Sequence, residues 1–159
     1  MMGIEIERKF MVDHEKWNAL KKPAGTHYHQ GYLLDDINCT IRVRLAGTTG
    51  FVTIKGANSG VTRKEYEYKI PAADATELIS TFAKSAVEKI RYRIRFKGML
   101  WEIDEFLGDN KGLIMAEIEL KNEKEAFEKP EWIAGEVSDD DRYYNSNLAK
   151  NPFKNWREK

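Results

Sequence analysis

The feature that most restricts this chain is a period-two alternation in which every second residue is charged, repeated along most of its length. Between residues 4 and 12, Ile4, Ile6 and Phe10 fall on one side of an extended chain and Glu5, Glu7 and Lys9 on the other. The same spacing yields Arg42 and Arg44, then Lys55, then Glu65 and Glu67 with Lys69 one step further. It continues through Lys89, Arg91, Arg93 and Arg95, through Glu102 and Asp104, and ends at Glu117 and Glu119. Such alternation is the mark of strands. Eight are expected, at 4–12, 26–34, 40–46, 51–57, 62–70, 89–96, 99–107 and 113–120, joined by turn-like segments such as Lys97–Gly98.

Helical signals are fewer. Asp13 can cap a short helix carrying Trp17 and Leu20, and residues 75–86 place Leu78, Ile79, Phe82 and Ala86 on one stripe behind Asp74 and Glu77. Short helices are expected near 123–128 and 144–150, and the aromatic tail is expected to pack over the exterior or plug one opening. The fold class predicted is α+β, mainly β: an eight-stranded antiparallel barrel, closed or nearly so, with a few peripheral helices. With 159 residues and no linker or repeat, one domain over 1–159 is expected.

What the charged faces mean depends on where they point. Lysine plus arginine is 26 and aspartate plus glutamate is 26, a balance that argues against a general nucleic-acid or anionic-membrane binder. A sheet with one wet face also alternates, but such a face mixes in Thr, Ser, Gln and Asn and seldom stacks like charges two apart. Here whole strands are acidic or basic. Enclosing those faces is costly unless opposite charges, metals and a ligand compensate. Arginine and lysine hold phosphate oxygens, and clustered carboxylates hold a hard divalent cation. A barrel lined with both is suited to a polyanion and its metal.

Other residues constrain less. Cys39 stands alone, so no internal disulfide or cysteine zinc cluster is expected, and a reducing compartment fits. His27 and His29 flank Tyr28 without a third ligand nearby and read as exposed strand histidines. Glu5 and Glu7 interrupt any signal-peptide core, and no apolar run approaches membrane-spanning length, so a soluble, cytoplasmic chain without a membrane partner is expected.

Taken together, EIERKF, TIRVRL, TIKG, EYEYKIP, EKIRYRI, WEIDEF, AEIEL and EVSDDDRYYNSNLA resemble, in order and over nearly the whole chain, the CYTH family of triphosphate tunnel metalloenzymes. The closest likeness is to its short bacterial single-domain members. The resemblance implies an eight-stranded tunnel that binds a triphosphate and Mg2+ or Mn2+. It implies Glu5, Glu7, Glu117 and Glu119 as metal carboxylates with Asp104 nearby. Lys9, Arg42, Arg44, Lys55, Lys89 and Arg91 would grip phosphates, with Arg93 towards the mouth, and Glu65, Glu67 and Lys55 would form the catalytic set. The reaction expected is hydrolysis of inorganic tripolyphosphate to pyrophosphate and phosphate. Rival readings are an adenylate cyclase, a nucleoside or thiamine triphosphatase, and a non-enzymatic polyphosphate clamp. For the cyclase, Tyr28, Tyr32 or Trp101 would have to stack a base.

Overall fold

The computed structural model describes residues 3–156 and turns the alternation into a ten-stranded antiparallel sheet. Its strands are β1 (Glu5–Val12), β2 (Thr26–Asp36), β3 (Cys39–Ala46), β4 (Thr49–Gly56), β5 (Thr62–Arg63), β6 (Glu65–Ile70), β7 (Ser85–Phe96), β8 (Met99–Phe106), β9 (Ile114–Glu119) and β10 (Ile133–Glu136). Three α-helices accompany them: α1 (His14–Ala19), α2 (Ala72–Phe82) and α3 (Asn145–Lys150). Asp13 caps α1 through the backbone N–H of Lys16, and Lys97 and Gly98 both take positive φ in the β7–β8 hairpin, as their turn chemistry requires.

The sheet runs β10-β1-β9-β8-β7-β2-β3-β4-β6, and its two end strands do not pair. This corrects the expectation of a continuous eight-stranded barrel. The expected strand over 62–70 is divided at Lys64: Thr62 and Arg63 pair with Ile6 and Glu5 of β1, whereas residues 65–70 pair with β4. Two residues of ladder, with backbone bonds between Gly3 and Glu65, therefore bridge the ring. The unforeseen β10 lies against Phe10 and Val12 on the edge of β1 that β9 leaves open.

Helix positions also shift. The helix expected at 75–86 begins at Ala72 behind Pro71 and stops at Phe82, so Asp74 sits in its first turn and is not its cap. Residues from Ser85 instead lengthen β7, because β2 offers a matching edge as far as Tyr32. Residues 123–128 form turn and irregular chain, tied by Lys121 N–H to the Glu125 carboxylate, where a helix was expected.

The large apolar core lies outside the ring. Phe10, Trp101, Ile103, Ala116 and Ile118 from β1, β8 and β9 pack beneath Trp17 of α1 and Trp132. A second outer cluster joins α2, through Ala75 and Ile79, to Val43 of β3. Gly31 of β2 permits this approach: a Cβ there would lie 2.6 Å from that of Ala83. The aromatic tail, expected either to cover the exterior or to plug one opening, does both, with Trp132 outside. Tyr143, Leu148 and Trp156 close over inward-facing Val87, Phe106 and Met115 and so plug one end. Among the described residues, no helix is long and apolar enough to cross a membrane.

The rest of the interior is mainly charged, and Asp104 is among its most deeply buried members. Its carboxylate takes two bonds from Arg91, directly opposite in the β7–β8 ladder, at 2.7 and 2.8 Å, and lies 2.8 Å from Lys89. Burial works against ionising Asp104, but Arg91 and Lys89 outweigh it and hold the carboxyl well below the usual range. A depressed folded pKa stabilises the protein above the unfolded value near 4, and that contribution is lost as the pH falls through the folded value. Asp104→Asn is therefore expected to cost about 3–5 kcal/mol at pH 7 by stranding two buried cations. Denaturant titrations of both proteins should show the gap narrowing below pH 4; a variant as stable as the parent at pH 7 would contradict this role.

Candidate active site

The ring encloses a cavity of about 220 Å³. Eight basic and seven acidic side chains line it, and they include every sequence-predicted site residue except Asp104. That residue was expected near a metal; its pairing with Arg91 and Lys89 places it behind the lining as their counter-ion. The sequence reading assigned no role to Arg63 and Glu102, although Glu102 belongs to the charged alternation. It also missed Tyr32 as a polar lining group, and Asn145, which enters from the first turn of α3. His27 is exposed and bonds Glu88, as a strand histidine would.

One side of the cavity is acidic because the strand register sets like charges face to face. Glu7 lies opposite Glu119 across β1 and β9, and Glu102 opposite Glu117 across β8 and β9. Such pairs repel unless cations intervene. Lys9 does so by contacting Glu7 and standing 3.8 Å from Glu117, and Lys55 by lying 3.0 Å from Glu5 and 3.4 Å from Glu65. The crowding shows in the acidities. Burial and the charges of Glu5 and Glu7 raise Glu119; burial and Glu7 raise Glu117; burial and Glu5 push Glu65 up to about 7. Burial opposes ionisation of Glu5 too, but Lys55 and Lys9 overcome it and hold that carboxyl well below its ordinary value. These are hard oxygen donors of the kind that hold a divalent cation. In the arrangement described, lysine ammoniums stand among them, and no three of the described His, Cys, Asp or Glu side chains converge as a metal cage.

The other side is basic. Arg42 reaches Thr53 at 3.3 Å and lies 3.9 Å from Glu67, and its buried Nε has no hydrogen-bond partner among the described residues. Arg44 bonds the neutral Gln30 at 3.1 Å. Burial and the repulsion of Arg42 and Arg91 lower Arg44 to about 10, which leaves it charged at neutral pH in a region short of anions. Burial, reinforced by the positive charges of Arg91 and Arg44, lowers Lys89 to about 7 against the opposing pull of Asp104. Tyr28 lies beneath this group, its ring 4.9 Å from the Arg44 guanidinium and 5.2 Å from that of Arg91. A cavity with carboxylates on one side and under-neutralised guanidiniums on the other can hold a polyanion together with its cation.

Comparisons with known proteins agree with that geometry. The CYTH domain model matches residues 3–147. A protein of Acetivibrio thermocellus named inorganic triphosphatase is 48% identical over 158 residues, covering 99% of this chain and 100% of that protein. One of the same name from Nitrosomonas europaea is 36% identical over 149 residues, covering 91% and 96%. A crystal structure described as an inorganic triphosphatase superposes with a TM-score of 0.64 at 34% identity, over 91% of this chain and 97% of that one. The chain belongs to the CYTH domain family.

Proposed function

We propose that this protein is a divalent-cation-dependent inorganic triphosphatase that cleaves tripolyphosphate to pyrophosphate and phosphate. The observation that carries this reading is the opposition of Glu7, Glu117 and Glu119 to Arg42, Arg44 and Arg91 within one cavity of about 220 Å³. That volume is below the roughly 300–1,000 Å³ of pockets that take drug-sized ligands. It suits a bare phosphate chain better than a nucleotide. The aromatic groups that would have to stack a base are already engaged: Tyr28 and Tyr32 are buried beside the arginines, and Trp101 belongs to the outer core. A clamp without catalysis would gain nothing from so many acids.

Phosphoryl transfer to water needs the chain held in line and its charge neutralised as the leaving oxygens develop it. Arg42, Arg44 and Arg91 would hold phosphate oxygens, with Lys9, Lys55 and Lys89 adding charge and Arg93 standing at the more exposed margin. Glu5, Glu7, Glu117 and Glu119 would hold Mg2+ or Mn2+, which supplies Lewis-acid stabilisation when bound. Glu65, raised to about 7, is suited to take the proton of an attacking water. Glu67 accepts a bond from Thr53 at 2.9 Å and thereby steadies the neighbour of Arg42. A cytoplasmic setting is part of the reading, supported by one free cysteine.

Three outcomes follow. Tripolyphosphate turnover should vanish in excess chelator, and Glu119→Gln, which keeps shape and removes one charge, should lower kcat by about 100-fold or more while the melting temperature holds. Full turnover in chelator would remove the metal from the scheme. Arg44→Ala should cost about 1.5–3 kcal/mol of transition-state stabilisation, the range for charged hydrogen bonds, with little change in stability. An unchanged kcat/KM in that variant would show that Arg44 does not touch substrate. Finally, kcat/KM for tripolyphosphate should exceed that for ATP by at least about tenfold, with no cyclic nucleotide formed. Chromatography that shows cyclic AMP as the main product from ATP would favour the cyclase reading.

A further inference from the structure

We infer that Gln30, an uncharged residue beneath the arginine cluster, is the positioning residue that aims Arg44 and Tyr32 at the phosphate chain; this rests on the triphosphate reading above. Gln30 is fully buried on β2, directly across the ladder from Arg44. Its Oε1 accepts from Arg44 Nε at 3.1 Å, and its Nε2 donates to the Tyr32 hydroxyl at 3.1 Å and to Asn145 Oδ1 at 3.2 Å. Asn145 Oδ1 also accepts from Lys89 Nζ at 2.8 Å.

Donor chemistry determines the direction of this network. An arginine Nε only donates, so the oxygen of Gln30 must face it. Lys89 Nζ lies 2.8 Å from the Asp104 carboxylate and donates to Asn145 Oδ1, so only the NH2 of Gln30 can meet that same oxygen. Neither amide can turn over without setting donor against donor. The Tyr32 hydroxyl accepts from Gln30 and lines the cavity, which leaves its own proton for an acceptor there. Burial raises the phenol's pKa, so that proton is retained at neutral pH.

The neutrality of Gln30 matters as much as its geometry. Of the bases lining the cavity, Arg44 alone has no carboxylate within 4.0 Å among the described residues. Arg63 has Glu5 and Arg93 has Glu102, and the lysines are each paired. Anchored at Nε by an amide and over the Tyr28 ring, Arg44 is fixed in place with its charge uncancelled. A glutamate in place of Gln30 would hold the same guanidinium but neutralise it, and would bring no proton for Tyr32 or Asn145.

Calorimetric titration of sodium tripolyphosphate into the chelator-treated protein tests this apart from turnover. Gln30→Glu, close to isosteric, should retain the parental circular dichroism and bind about tenfold or more weakly, and Gln30→Met should fall between it and the parent. In steady state with Mg2+, both should raise KM more than they lower kcat. Parental affinity in Gln30→Glu overturns the inference. So does a loss of affinity in both variants that only accompanies a loss of folded structure. A parent protein that binds tripolyphosphate without hydrolysing it would refute the triphosphatase reading and leave the role of Gln30 standing; a parent that does not bind it refutes both.

Discussion

Most charges inside the ring are held by an ion-pair partner, and the shared carboxylate of Asp104 is where that dependence is tightest. Two cations, Arg91 and Lys89, converge on one buried acid. Arg91 then reaches outward to Glu102 at 3.3 Å and Glu117 at 3.6 Å, linking the deepest pair to the carboxylates of the cavity wall. An isolated ion at that depth would be several kcal/mol too costly, so the pairs that enclose the cavity also make its charged lining tolerable. The pairing is uneven in a useful way. Acids crowd along β1 and β9, bases along β3 and β7, and Lys9 and Lys55 stand between pairs of carboxylates.

The apolar core had to move outside as a consequence. In a small closed barrel the interior is ordinarily filled by side chains that stabilise the fold. Here the stabilising contacts come from the outer faces: α1, Trp132 and Phe127 cover one flank, and α2 another. Among the described residues, the apolar cluster of the interior lies at the plugged end, where Val87, Phe106 and Met115 meet Tyr143, Leu148 and Trp156. That plug also brings Asn145 to the cavity, so the segment that closes the fold is continuous with the site.

The alternation of Glu5, Glu7 and Lys9 against Ile6 and Phe10 was legible because a strand sends successive side chains to opposite faces whatever its neighbours are. Which strands exist, which residues share a face, and the sorting of acids and bases onto separate strands follow from that local rule. The motifs that carry the CYTH resemblance are the same residues. Local patterning does not state what lies opposite. The register placed Asp104 against Arg91 and made it a counter-ion, although its spacing from Glu102 suggested an equal place on the wall. β10 and the division at Lys64 arise from edges that only the assembled sheet presents. Gln30 carries no charge and sits between two tyrosines, so nothing in its immediate sequence marks it. Its importance comes from the fold bringing Arg44, Tyr32 and Asn145 within hydrogen-bond reach. The sequence by itself therefore determined the charged lining and its chemistry, because side-chain period is a property of one strand. Only the tertiary structure decided which charges are cancelled and which stay free for a ligand, because Coulomb energy depends on distances between strands.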